Sequence, residues 1–183
     1  MSLKVNMFFA TGYEEVEALT VVDLLRREGI EIEMVSITGE KVVTSSHGVS
    51  VVMDKLFEEI DDSADMIILP GGMPGTLNLK AYKPLQEKIL RYVKADKYLA
   101  AICAAPTVYG EMGLLEGRKA ACYPGMEEGL VGAIKCYDNV VVDGKFITSR
   151  GLGTALDFGL KIVEILKDEV AATKLANKIV YQA

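Results

Sequence analysis

The stretch Tyr98-Leu-Ala-Ala-Ile-Cys103-Ala-Ala-Pro106 decides the fold. A short apolar run of strand character ends at a thiol, and a helix whose first turn tolerates proline follows at once. Strand, sharp turn and helix make a nucleophile elbow. The strand carries the cysteine to the carboxyl edge of a sheet, and the small Ala104 and Ala105 let other backbone come close. The free N–H groups of the new helix then face any anion that forms there. A helix N-terminus lowers the pKa of a thiol, so Cys103 is expected to be a nucleophile and an oxidation target. The same stretch also suits a buried cysteine packed as a small hydrophobe. Taken alone, it does not choose between the two.

Working outward, short β-rich runs alternate with longer helical periodicities. Lys4–Ala10 reads as a strand, a helix covers about Glu14 to Glu28 and ends at Gly29, and Ile30–Ile37 is a second strand. Lys41–Thr44 and Val49–Met53 flank Ser45-Ser46-His47-Gly48 as a small hairpin. Ala64–Leu69 is a fully apolar strand stopped by Pro70-Gly71-Gly72, Thr76–Ala95 an amphipathic helix, and Tyr98–Ile102 the next buried strand. A short helix over Ala104–Met112, a turn at Gly113 and a strand over Lys119–Tyr123 follow. Asn139–Val142 and Lys145–Ser149 form a hairpin through Asp143-Gly144, and helices over Ala155–Lys167 and Glu169–Val180 close the chain.

This alternation, with continuous apolar strands, implies an α/β fold: a mostly parallel sheet covered by helices on both faces. The 183 residues contain no repeat, low-complexity segment or flexible linker, so residues 1–183 are expected to form one domain. In such sheets the site lies beyond the carboxyl ends of the strands. Thr11-Gly12, Pro70-Gly71-Gly72, Cys103 and Ser149-Arg150-Gly151 all fall at such ends, and this convergence favours the reactive reading of Cys103.

Half of the residues are hydrophobic and a quarter charged, with a net charge of −6 and no basic run, which argues against nucleic acid as a partner. No apolar stretch is long enough to span a bilayer and no signal peptide is apparent. Three cysteines at irregular spacing imply free thiols in a reducing cytoplasm. With one histidine and no Cys-x-x-Cys pair, neither a metal nor another cofactor is expected.

Four segments taken together carry a resemblance: Gly12-Tyr-Glu-Glu-Val-Glu17, Ile68-Leu-Pro-Gly-Gly72, Ala101-Ile-Cys103-Ala-Ala-Pro106 and Thr148-Ser-Arg-Gly-Leu-Gly-Thr154. In this order and spacing the chain resembles the ThiJ/PfpI superfamily, in the branch of bacterial ThiJ and the Parkinsonism-associated deglycase. The likeness runs essentially end to end and includes Asp157-Phe-Gly-Leu160. It implies a flavodoxin-like three-layer α/β/α sandwich, a homodimer, and one oxidation-prone cysteine at the elbow. It also implies that the carboxyl at Glu17 contacts the sulfur. On its own, Glu17 is an acid in the first turn of a helix, where the macrodipole favours it. Beside a thiolate it would be held protonated by burial and like-charge repulsion.

Gly71 and Gly72 suit a tight turn, and beside Cys103 they also allow close backbone approach. The amides of Gly72 and Ala104 would then form an anion hole. Arg150 suits either a surface ion pair or the rim of the site. Cys122 and Cys136 have no such context. The sequence departs from the family where many members place a histidine near the cysteine: Ala104 follows Cys103, and Tyr123 stands in the later position. The only histidine, His47, is in the small hairpin; the resemblance suggests that His47 and Arg27 supply positive charge near the site or the dimer seam.

A phenol cannot replace an imidazole base, which disfavours a Cys-His-acid peptidase. The implied activity is glyoxalase- or deglycase-like, on 2-oxoaldehydes such as methylglyoxal or their early protein adducts. Cys103 would be the nucleophile and Glu17 the proton shuttle. The rival is a non-catalytic redox sensor or chaperone in which Cys103 is oxidised to sulfinate. A peptidase and a role in thiazole monophosphate biosynthesis are weaker alternatives.

Overall fold

A computed structural model describes residues 3–182. Strands β1 (Lys4–Phe9), β2 (Glu31–Ser36), β5 (Lys55–Leu56), β6 (Met66–Leu69), β7 (Tyr98–Ile102), β10 (Val140–Asp143) and β11 (Phe146–Ser149) make one sheet. Its order is β10-β11-β7-β6-β1-β2-β5. Every pairing is parallel except the β10–β11 hairpin. Strands β3 (Val42–Thr44) and β4 (Ser50–Val52) form the expected antiparallel hairpin.

The period-two alternation of β1 sorts the core into two layers. Val5, Met7 and Phe9 pack against α1 (Glu15–Arg27), α5 (Ala155–Leu166) and α6 (Glu169–Lys178). Phe8 and Ala10 face α2 (Gly75–Ala81), α3 (Lys83–Lys94) and α4 (Pro106–Glu111). The result is the three-layer sandwich. The chain runs from β1 outward to β2 and β5, then returns past β1 to β6. The strand order therefore reverses between β1 and β6, and the crevice beyond their carboxyl ends is the natural place for a site. The segments after β1 and β6 meet there: Glu14 N–H donates to the Gly71 carbonyl at 2.9 Å and Gly75 N–H to the Gly12 carbonyl at 3.1 Å.

Several boundaries differ from the sequence reading. The single helix expected over Thr76–Ala95 is two, broken at Tyr82, whose backbone is extended. Pro84 is the cause: it has no N–H for the Lys80 carbonyl and its ring would collide with that group. The Gln86 side-chain amide donates to that carbonyl instead. Helix α4 starts at Pro106, not Ala104, because the elbow takes Cys103 to Ala105 as turn. The strand expected over Lys119–Tyr123 shortens to β8 (Lys119–Ala120), paired in parallel with a strand not foreseen, β9 (Ile134–Lys135).

Beyond β8, the chain is held to the main sheet by single bonds. Ala121 N–H donates to the buried Thr148 hydroxyl at 3.0 Å, and Tyr123 N–H donates to the Cys103 carbonyl at 2.8 Å. Thr148→Val keeps the shape but leaves the buried Ala121 N–H without its partner. It is expected to lower stability by about 1–3 kcal/mol, measured by urea denaturation with an unchanged m-value.

Candidate functional site

Cys103 follows β7 directly and takes φ 64°, a left-handed conformation that costs an ordinary residue about 1–3 kcal/mol. Two backbone bonds hold it there: Cys103 N–H donates to the Ser149 carbonyl at 3.0 Å, and the Cys103 carbonyl accepts from Tyr123. The elbow leaves the thiol half-buried, with the N–H groups of Ala104 and Gly72 directed at the sulfur. Gly72 itself has φ +92°, and a Cβ there would meet Glu14 N at 2.4 Å.

Glu17 reaches the same point from α1. Glu14 caps that helix, its carboxylate accepting the Glu17 N–H at 2.7 Å, so Glu17 falls in the first turn facing inward and is 1% exposed. Its Oε2 accepts the Gly71 N–H at 3.1 Å, and its carboxyl is hydrogen-bonded to Cys103. Gly71 is the hub. A Cβ at this position would lie 2.5 Å from Cys103 Cβ, 2.6 Å from Glu17 Oε2 and 3.0 Å from Cys103 Sγ.

The electrostatics correct one expectation. Burial pushes the Cys103 thiol up, and the charge and hydrogen bond of Glu17 push it further, to about 12, while the Ala104 and Gly72 amides pull it down. The helix N-terminus therefore does not by itself yield a low-pKa thiol. Glu17 is also raised, to about 7, mainly by burial. The two groups are coupled through their hydrogen bond, and a charged Glu17 disfavours a thiolate. When Glu17 is protonated, the like-charge repulsion disappears and the carboxyl O–H can donate to sulfur. The amide pair then favours a thiolate. A reactive Cys103 thus depends on a protonated Glu17.

The other residues singled out in the sequence lie at different distances from this centre. The Tyr123 ring, 50% exposed, borders Gly151 beside Glu17. Arg150 follows Ser149 at the end of β11, yet its guanidinium donates to the Tyr137 carbonyl at 3.3 Å and lies over the Tyr137 ring. His47 is exposed on the β3–β4 hairpin, with Nδ1 3.0 Å from Glu15 Oε1. Arg27 is ten residues along α1 from Glu17, about 15 Å away, and pairs with Asp23. Within one chain, therefore, Arg27 is not brought to the sulfur. Cys122 is buried with its thiol pushed up to about 11 by burial, and Cys136 is half-buried.

The sequence reading missed the hydroxyls that position the site. Thr148 holds the segment leading to Tyr123, and the Ser149 and Thr154 hydroxyls, 2.7 Å apart, hold the loop that passes Glu17. A threonine and a serine ending a buried strand were the available signal. Among the described residues, Glu14, Glu15 and His47 form the one group whose ligand atoms lie within 4.8 Å of one another. Glu14 is already committed to capping α1, at the positive end of the helix, which opposes a cation.

The DJ-1/PfpI family model matches residues 3–165. Protein DJ-1 homolog B of Arabidopsis thaliana is 39% identical over 180 residues, covering 97% of this chain but 41% of that protein; the chain spans about two fifths of that relative. The glutathione-independent glyoxalase DJR-1.2 of Caenorhabditis elegans is 35% identical over 156 residues, 84% of this chain and 83% of the relative. The solved structure of oxidised Toxoplasma gondii DJ-1 superposes with a TM-score of 0.95 at 34% identity, over 99% of this chain and 100% of that one.

Glu17 also links the site to stability. Its folded pKa of about 7 exceeds the ordinary 4.5, so its contribution is fully present below pH 4.5 and is lost as pH rises through 7. The loss amounts to about 3 kcal/mol at most. In denaturation at a series of pH values, wild type should lose stability relative to Glu17→Gln between about pH 4.5 and pH 8. A parallel pair of curves would mean that Glu17 is an ordinary exposed acid.

Proposed function

Because the chain belongs to the DJ-1/PfpI family, we propose that it is a stress-defence enzyme that converts 2-oxoaldehydes such as methylglyoxal, or their early protein adducts, to 2-hydroxy acids. The observation that carries this reading is the buried Glu17 carboxyl hydrogen-bonded to Cys103 under the Ala104 and Gly72 amides. The kinship with a glutathione-independent glyoxalase supports it.

In this mechanism the Cys103 thiolate adds to the aldehyde carbon. A C–S bond forms, and the oxygen receives the proton from Glu17, giving a hemithioacetal. The Ala104 and Gly72 amides stabilise the negative charge in the transition state. Glu17, now a carboxylate, takes the proton from C1 and returns it to C2 through an enediol. C1 is thereby oxidised to a thioester and C2 reduced to an alcohol. Water hydrolyses the thioester, releasing the 2-hydroxy acid and restoring the thiol. No external oxidant or reductant is needed. Tyr123 stands where many relatives have histidine and contributes no base, so slow turnover and no peptidase activity are expected.

The same two amides suit the oxygens of a sulfinate, which favours the second reading, a redox sensor or chaperone switched by oxidation of Cys103. Turnover separates the two. We place the protein in the cytoplasm, as its three free cysteines suggest; no helix among the described residues is long and apolar enough to cross a membrane. We also propose a homodimer, supported by exposed Val16 on α1 and Val42, Val49 and Val52 on the hairpin.

Lactate production from methylglyoxal is expected for wild type over many turnovers. Cys103→Ala should abolish it, and Glu17→Gln should reduce it by about 10²–10⁴-fold. Tyr123→Phe should retain most activity. A single stoichiometric reaction with no lactate would favour the sensor. Limiting iodoacetamide followed by mass spectrometry should label Cys103 before Cys122 and Cys136.

A further inference from the structure

Gly151 lies where the loop after β11 passes Glu17. Its φ of 162° is extended backbone open to any residue, so no turn demands glycine there. What distinguishes the position is the space beside it. A Cβ at Gly151 would sit 3.4 Å from Tyr123 Cδ2 and 3.8 Å from Glu17 Oε1, in van der Waals contact with both. The missing side chain therefore leaves a notch about the size of one methyl group between a ring edge and a carboxyl oxygen. That oxygen is the one not held by the Gly71 amide, which binds Oε2.

The notch is fixed relative to the thiol. Gly151 N–H donates to Thr154 Oγ1 at 3.1 Å, and the Thr154 hydroxyl lies 2.7 Å from that of Ser149. Ser149 in turn accepts the Cys103 N–H through its carbonyl. The chain of contacts thus runs from the sulfur's own backbone to the wall of the notch through two short hydroxyl side chains, Ser149 and Thr154, bonded to each other.

We infer that Gly151 is a specificity-determining residue. The notch receives the substituent on C2 of the adduct formed at Cys103, and its size selects glyoxal and methylglyoxal over branched or aryl 2-oxoaldehydes. This inference rests on the aldehyde chemistry proposed above. The selection acts on the group carried by C2 and leaves the group carried by C1 unconstrained.

The test compares wild type and Gly151→Ala on glyoxal, methylglyoxal and phenylglyoxal. One methyl group in a pocket discriminates by about 10–200-fold. Gly151→Ala should therefore lower kcat/KM for methylglyoxal by about tenfold or more relative to glyoxal. Tyr123→Ala, which removes the opposite wall, should raise phenylglyoxal relative to methylglyoxal. Equal losses on glyoxal and methylglyoxal, or none, would overturn the inference. A second readout needs no turnover: the rates at which iodoacetamide and 2-iodopropanamide, which differ by one methyl at the reacting carbon, alkylate Cys103. Gly151→Ala should slow the second selectively, and an unchanged ratio would overturn the notch. If wild type consumes no aldehyde while this ratio shifts, the notch stands and the proposed reaction falls.

Discussion

The lack of a side chain at position 71 is the constraint on which the site depends. With a methyl group there, the carboxyl of Glu17 and the sulfur of Cys103 could not keep their places, since a Cβ would sit within 3.0 Å of atoms of both. Burial in this niche raises the proton affinity of both groups. The neighbouring Glu17 raises that of Cys103 further, while the Cys103 hydrogen bond offsets part of the rise at Glu17. The arrangement is therefore unfavourable when both are ionised and acceptable when Glu17 is protonated. Three separate elements converge to hold it: the start of α1, the turn after β6 and the elbow after β7. Each is fastened by backbone bonds to its neighbours, and the left-handed Cys103 is the point at which they meet.

The fold was readable because its signals are local. Apolar runs such as Met66–Leu69 and Tyr98–Ile102 pair as the central strands, and Asp143-Gly144 turns the hairpin at the edge. Reading failed where a tertiary contact or a single residue overrides periodicity. Pro84 divides an amphipathic stretch that looks continuous, and β9 is a two-residue strand, Ile134–Lys135, exposed along its length and too short to show a strand pattern. The residues of the site were legible as positions, through Cys103, Glu17, Gly71 and Gly72, but not as an electrostatic state. A helix N-terminus promised a low-pKa thiol. Only the packed structure shows how completely Glu17 is enclosed, and burial dominates the balance at both groups. The resemblance implied two places for Arg27, the site and the dimer seam. The path of α1 removes the first within one chain, since Arg27 lies about 15 Å along the helix from Glu17 and pairs with Asp23.

The sheet order explains why so much chemistry gathers at one edge. The reversal beside β1 opens a crevice whose walls are the segments after β1 and β6, and β7 delivers the thiol next to it. The β11 end closes the remaining side through Ser149 and Thr154. The helices behind these strands serve mainly as packing, with one exception: α1 presents its positive end and Glu17 to the crevice.

The donors directed at the sulfur belong to the main chain, at Gly72 and Ala104, and the donor that seats the carboxyl belongs to Gly71. A main-chain N–H is present in every amino acid but proline. Genetic change at these positions acts through bulk and torsion and does not delete the hydrogen-bonding group itself. The charge-holding part of the site is thus encoded in the path of the backbone. The chemistry of its mouth is written in replaceable side chains such as Tyr123. Descendants of such a chain can alter what enters while inheriting, almost unchanged, the means of stabilising an anion once it forms.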